Sequence, residues 1–258
     1  MPQGSKKRTR RRRNRQASRR FGRIKLALMA VVLVAVGGLA AVALTAGPAS
    51  SDAGYTARPI PTFGTPAVVR PSVLFIGDSY TSGTGASDKA FRWSTLVSGE
   101  LDWREQNEGL GGTGYIVTSG VEGCGSDYCP NYSEQISLID GAAPSIVVIS
   151  GGRNDGQALD GYAAVVSGTI AKAQARWPES RIVLTSPMWD DDAAPAWMAD
   201  TIGAVREAAA ATGVAVVDMG EPLEGHPEFV IEDGVHPNDA GYRAIADAFL
   251  AAWPGTGI

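Results

Sequence analysis

The sequence predicts an α/β domain: a parallel sheet covered by helices on both faces. Three observations predict it. Short apolar runs recur at 73–76, 146–150 and 181–185, as expected of strands buried on both sides. Longer stretches at 162–177, 194–212 and 239–253 are Ala-rich and carry apolar residues at helical spacing. Strands that alternate with helices in this way pair in parallel through crossover helices. About 185 residues, 72–258, are ample for one such core.

The elements come in order along the chain. Residues 73–76 are the first strand. Residues 90–101 set Phe91, Trp93, Leu96, Val97 and Leu101 at helical spacing and predict a helix. Residues 103–107 are a second, less apolar strand, and 146–150 the third. The helix at 162–177 is ended by Pro178, which cannot continue it. Residues 181–185 form the fourth strand. The helix at 194–212 has Gly213 just past its end, where helices prefer to stop. Residues 214–218 are the fifth strand, and 239–253 a closing amphipathic helix.

The net charge of −4 over 258 residues hides a split. Residues 1–25 hold 12 of the 23 Lys and Arg and no acid, leaving 11 basic against 27 acidic side chains, a net of −16, in the rest. Residues 26–46 carry no charge over 21 positions. As a helix they would span about 32 Å, against about 30 Å for a bilayer core. The basic flank then predicts a cytoplasmic tail, 1–25, an anchor helix, 26–46, and a domain outside the cytoplasm. A cleaved signal peptide is the competing reading, since Ala41-Val42-Ala43 could serve a signal peptidase. The apolar stretch is long for that, so the uncleaved anchor is preferred. Residues 47–71 hold five Pro and no helical period, and read as an extended tether. An acidic body argues against nucleic-acid binding. Two His and two Cys leave little material for a metal site, and none is expected.

In open α/β sheets, ligands bind outside the carboxyl ends of the strands. Those ends carry Gly77-Asp78-Ser79, then 107–114, 151–155 and 186–195, all polar or Gly-rich. Ser79, at a strand-to-helix junction, is either a cap or a nucleophile. Asp233 and His236, three apart before a helix, can share a hydrogen bond that orients the imidazole. Asn154 can aim an amide at a developing oxyanion. The glycines of 109–114 let backbone approach a ligand.

On these residues the sequence resembles the SGNH hydrolases, also called GDSL-type esterases, from position 73 to about 250. The four blocks of that family match Ser79, Gly112, Asn154 and His236. Gly109, Gly111, Gly112 and Gly114 compete for the second block. Gly112 is chosen because it stands where the family's Gly follows an Asn-x-Gly turn. Tyr80 replaces the Leu of the eponymous motif. The resemblance implies a three-layer α/β/α sandwich with a five-stranded parallel, flavodoxin-like sheet. It implies acyl transfer to Ser79, with His236 as base and Asp233 fixing its tautomer. The Ser79 and Gly112 N–H groups, with the Asn154 side chain, would form the oxyanion hole. No cofactor is required. The expected function is extracytoplasmic hydrolysis of small-molecule, glycan or lipid esters. The alternatives are an acyltransferase on envelope glycans and a non-catalytic binding domain.

Other features have blander readings. The Gly109–Gly114 run fits a dinucleotide fingerprint in form, but residues 115–126 are broken by Gly and not helical, so a cofactor is rejected. Cys124 and Cys129 lack a second ligand pair and are expected to form a disulfide in an exported domain. The Asp190-Asp191-Asp192 run, between Trp189 and Trp197, is either solvated or rims the cleft. Tyr115 and Arg153 are pocket residues by position. His226, without an Asp three residues before it, is expected to be a loop residue.

Overall fold

The structure, a computed structural model, describes residues 70–157 and 160–253, all within the unit Pro66–Ile258. The expected tail, the anchor and the tether up to position 69 lie outside the described residues. Among the described residues no helix is long and apolar enough to cross a membrane.

The chain runs β1 (Ser72–Gly77), α1 (Ser79–Ser82), α2 (Trp93–Glu100), β2 (Arg104–Gly109), α3 (Val121–Cys124), α4 (Tyr132–Leu138) and β3 (Ile146–Ser150). It continues with α5 (Tyr162–Arg176), β4 (Arg181–Thr185), α6 (Met198–Thr212), β5 (Ala215–Val217) and α7 (Asp239–Ala252). The five strands form one parallel sheet in the order β2-β1-β3-β4-β5. The three-layer sandwich and five-stranded sheet expected from the sequence are therefore present.

The unbroken apolar runs of the strands follow from burial on both faces. Leu74, Ile76, Val147, Ile149 and Leu184 pack against α4, α5 and α6 through residues such as Ile136, Ile170 and Val205. Their sequence neighbours Val73, Phe75, Val148 and Val183 pack on the other face against α2 and α7, through Trp93, Val97, Ile245 and Phe249. Each such side chain contributes about 1.5–3 kcal/mol by leaving water. Trp93 meets Phe75 edge-on at 5.2 Å, and Trp103 meets Trp253 at 5.0 Å, closing the α2–α7 side. β2 lies at the sheet edge and is only part-buried, which is why its sequence is polar.

Two helix expectations are corrected. The segment 90–101 is not one helix. Asp88 caps a separate 3-10 turn, Lys89–Phe91, and Arg92 is extended before α2 begins. Phe91, expected on the buried stripe, is 43% exposed. Helix α6 starts at Met198 rather than 194. Pro195 keeps Ala194 out of helical geometry, and Trp197 instead sits edge-on to Trp189. A helix after Ser79 was expected from the strand-to-helix junction and is the single turn α1; helices α3 and α4 were not anticipated, being too short to show a period.

The first connection carries the chain from β1 to β2 on one side. The next returns it to β3 on the other side of β1. Loops leaving the carboxyl ends of β1 and β3 thus part in opposite directions, and a crevice opens between them.

Candidate active site

Strand β1 delivers Ser79 to that crevice. Asp78 follows the strand, and its carboxylate accepts the Tyr80 N–H at 2.9 Å, capping α1. Ser79 is the first residue of the helix and is 8% exposed. Its N–H, which no helical carbonyl can reach, donates to no other group among the described residues. Burial pushes the Asp78 carboxyl up to about 6, an effect that the Tyr80 N–H and the Arg153 charge oppose.

Past β2 the chain doubles back along α1. Asn107 is the tie. Its amide donates to Thr81 O at 2.7 Å and Ser94 Oγ at 2.8 Å, and its oxygen accepts the Gly109 N–H. Gly109 runs so close to α1 that a Cβ there would stand 2.3 Å from Ser82 N. Gly111 comes next, where a Cβ would lie 3.7 Å from Ser79 Cβ. Gly112 takes φ +74°, a conformation that favours glycine. The Gly112 N–H also has no acceptor among the described residues. Helix α3 packs on this turn through Gly123, and the Cys124–Cys129 disulfide closes the loop behind it. The expected disulfide is thus formed, beside the Gly112 block.

Asn154 sits in a 3-10 turn, Arg153–Asp155, just beyond β3. Its Nδ2 donates to Thr113 O at 2.9 Å, which fixes the amide next to the Gly112 turn and uses one of its two hydrogens. Asp155 organises the other side of that turn. Its carboxylate accepts the N–H groups of Tyr115, Ile116 and Val117 at 2.9–3.0 Å and the Tyr162 hydroxyl at 2.8 Å. Sequence reasoning missed Asp155. Its place beside Asn154 was the available signal, but its three N–H partners lie about forty residues away.

The Asp233–His236 turn precedes α7. Asp233 Oδ2 meets His236 Nδ1 at 2.7 Å, while Oδ1 accepts the N–H groups of Val235 and His236, each at 2.9 Å. Desolvation raises the Asp233 carboxyl, but these three hydrogen bonds outweigh it and hold the group down at about 2. An ionised Asp233 holds a proton on Nδ1 and leaves Nε2 free to accept one. The Tyr80 and His236 rings stand 6.3 Å apart, edge to face, and Tyr80 Oη donates to Val235 O at 2.6 Å. The turn is thereby brought against the residue next to Ser79.

The remaining candidates separate cleanly. Arg153 is nearly buried and bonds Asp190 at 2.9 Å and the Tyr80 hydroxyl at 2.5 Å. Asp190 is thus neither a solvated residue nor open to the cleft; Asp192 is exposed. Tyr115 is not a pocket residue. It is 1% exposed and packs on Tyr132 and Tyr162 in the core. His226 pairs with Glu228 at 2.9 Å on an exposed loop, as expected. No helix opens after Gly114; the next is the single turn α3. Two surface hollows of about 350 and 450 Å³ lie at the amino ends of the strands, one beside Arg104 and one beside Gly213. Neither includes Ser79 or His236, so the chemistry is placed by the side-chain geometry.

Residues 75–244 match the model of the GDSL-like Lipase/Acylhydrolase family. The chain belongs to this family. The GDSL lipase Rv0518 of Mycobacterium tuberculosis (strain ATCC 25618 / H37Rv) is 31% identical over 194 residues, covering 68% of this chain and 78% of that protein. Among solved structures, a family two carbohydrate esterase from Cellvibrio japonicus aligns with a TM-score of 0.56 at 18% identity, over 73% of this chain and 62% of that one. Salicylyl-acyltransferase SsfX3, from a tetracycline biosynthetic pathway, aligns with a TM-score of 0.52 at 19% identity, over 74% of this chain and 57% of that one. At these identities the structural likeness is one of fold. Membership in the GDSL family makes the chain a serine ester hydrolase by class.

Proposed function

We propose that the domain hydrolyses carboxylic esters through Ser79, His236 and Asp233, outside the cytoplasm. The observation that carries the reading is the 2.7 Å pairing of Asp233 with His236 Nδ1, on a turn bonded to the nucleophile helix. His236 Nε2 takes the Ser79 proton as Oγ attacks the ester carbonyl. The same proton then goes to the departing alcohol. The N–H groups of Ser79 and Gly112, with the second amide hydrogen of Asn154, receive the oxyanion. Water repeats the sequence on the acyl-enzyme and releases the acid. No metal or organic cofactor takes part.

The location reading rests on the basic tail and uncharged stretch of the sequence, and is supported by the Cys124–Cys129 disulfide, a bond that oxidising compartments preserve. The substrate class, an acyl group on a small alcohol or a glycan, is supported by the carbohydrate esterase among the solved structures that share the fold. A fluorophosphonate probe tests the nucleophile. Labelling is expected in the wild type and absent in Ser79→Ala, and an unlabelled, folded wild type would overturn the reading. A panel of p-nitrophenyl esters of graded chain length, beside acetylated glycans, tests the substrate class. Turnover is expected to fall with acyl length. Products formed with an alcohol acceptor present would reveal transfer in place of hydrolysis.

A further inference from the structure

We propose that Tyr80 and Arg153 are positioning residues: a hydrogen-bonded strut that holds the His236 turn against the nucleophile helix. The inference rests on the catalytic reading above and adds to it the groups that set the base in place.

The turn 231–236 needs such support. Its own hydrogen bonds are internal or reach its immediate flanks: Val235 N and His236 N to Asp233 Oδ1, Ile231 N to His236 O, and Gly234 N to Ile231 O. The bond from Tyr80 Oη to Val235 O, 2.6 Å long and spanning 155 residues of sequence, joins it to α1. It acts on the carbonyl directly before His236.

The hydroxyl is itself held. Arg153 Nη1 donates to it at 2.5 Å, so Tyr80 accepts from a cation and donates to a carbonyl. Charge-assisted bonds in sequence polarise and strengthen one another. Burial pushes the phenol far above its ordinary value, which keeps its proton on Oη. Arg153 is fixed from three sides. Asp190 accepts from Nη2 at 2.9 Å, and the guanidinium lies 5.0 Å from the Tyr80 ring centre and 4.3 Å from that of Trp189. The strut therefore links four segments: the nucleophile helix, the turn bearing Asn154, the loop after β4 and the His236 turn.

Stability alone does not account for it. Burying an ion pair costs desolvation that its attraction repays only in part, and apolar side chains would fill the space as well. A Leu at position 80 would pack there without requiring Arg153 or Asp190. What the polar chain adds is direction, since a hydrogen bond fixes the Val235 carbonyl and the imidazole after it.

The test compares the full-length wild type with Tyr80→Phe, Arg153→Lys and the double variant, each well below its unfolding midpoint. Tyr80→Phe keeps the ring and removes one donor. It is expected to lower kcat on a short ester, and the rate of fluorophosphonate labelling, about 5- to 10-fold, with KM within about twofold. Arg153→Lys is expected to do the same through Tyr80, so the double variant falls no further than the worse single one. A Tyr80→Phe enzyme with wild-type kcat, a change confined to KM, or losses that multiply in the double variant would each overturn the strut. The His236 Nδ1–H proton resonance gives a readout apart from activity. It is expected to be sharp in the wild type and broadened in Tyr80→Phe, and an unchanged signal also overturns the proposal. A wild type that neither labels nor hydrolyses esters overturns the catalytic reading, while the resonance still decides the strut.

Discussion

At the scale of the residue, two carboxylates are pushed in opposite directions. Asp233 is held down at about 2 by three hydrogen bonds that outweigh its desolvation, so it stays ionised above that pH. Its folded value lies below the ordinary 3.8. The stability it contributes is therefore present above that pH and lost as pH falls toward about 2. Asp233→Asn would turn an amide toward His236 and favour the wrong tautomer. Turnover is expected to drop by at least about 100-fold, toward about 10⁴-fold, with KM little changed, by steady-state kinetics. Asp78 goes the other way. Burial lifts it from 3.8 to about 6, so between those values the folded chain keeps a proton that the unfolded chain has released. Its contribution is full below about pH 4 and lost as pH rises through about 6. Asp78→Asn keeps a capping oxygen for the Tyr80 N–H and has no proton to lose. The variant is expected to gain on the wild type by up to about 3 kcal/mol between pH 4 and pH 8, read from denaturant unfolding at both.

At the scale of the element, the Gly112 turn is shaped by what packs on it. Gly123 of helix α3 and Ser119 just before it press against Gly111 and Gly112, and the disulfide at the helix end prevents it from lifting. A loop of this size contributes about 2 kcal/mol when closed. Cys124→Ser with Cys129→Ser is expected to lower stability by about that amount and to slow turnover several-fold, as the Gly112 N–H loses its fixed direction. Unfolding and kinetic measurements on the double variant check both, and a fully active, destabilised variant would show that the staple serves stability alone. The strands and the long helices α5, α6 and α7 were legible in the sequence because burial leaves a period. The short helices α3 and α4 were not, because so few residues show no period; α1 was legible only as a strand-to-helix junction, and Asp78 caps it.

At the scale of the whole molecule, the charge split makes a topological prediction. If the domain lies outside the cytoplasm, as proposed, with the basic tail inside, protease added to intact cells should remove the domain and spare an amino-terminal tag. Immunoblotting for that tag and for the domain checks this. Protection of both would place the domain inside, and loss of the tag from the cell-bound protein would favour signal cleavage. The sheet order makes its own contribution. Because β1 lies between β2 and β3, the turns bearing Ser79, Gly112 and Asn154 open into one crevice, and α7 carries the His236 turn to its edge.

By itself, the sequence determined the α/β class, the five strands, the family, and the residue types that could do ester chemistry. Each of these is written in local patterns: apolar runs, a Ser after a strand, an Asp three residues before a His. Only the tertiary structure decided what those residues touch. It moved Tyr115 into the core, paired Arg153 with Asp190, gave Asp155 three N–H groups from a distant loop, and set Tyr80 on Val235. Those partners lie about 40 to 155 residues apart. A contact across such a separation leaves no local period, because it is fixed by how the sheet brings strand ends together.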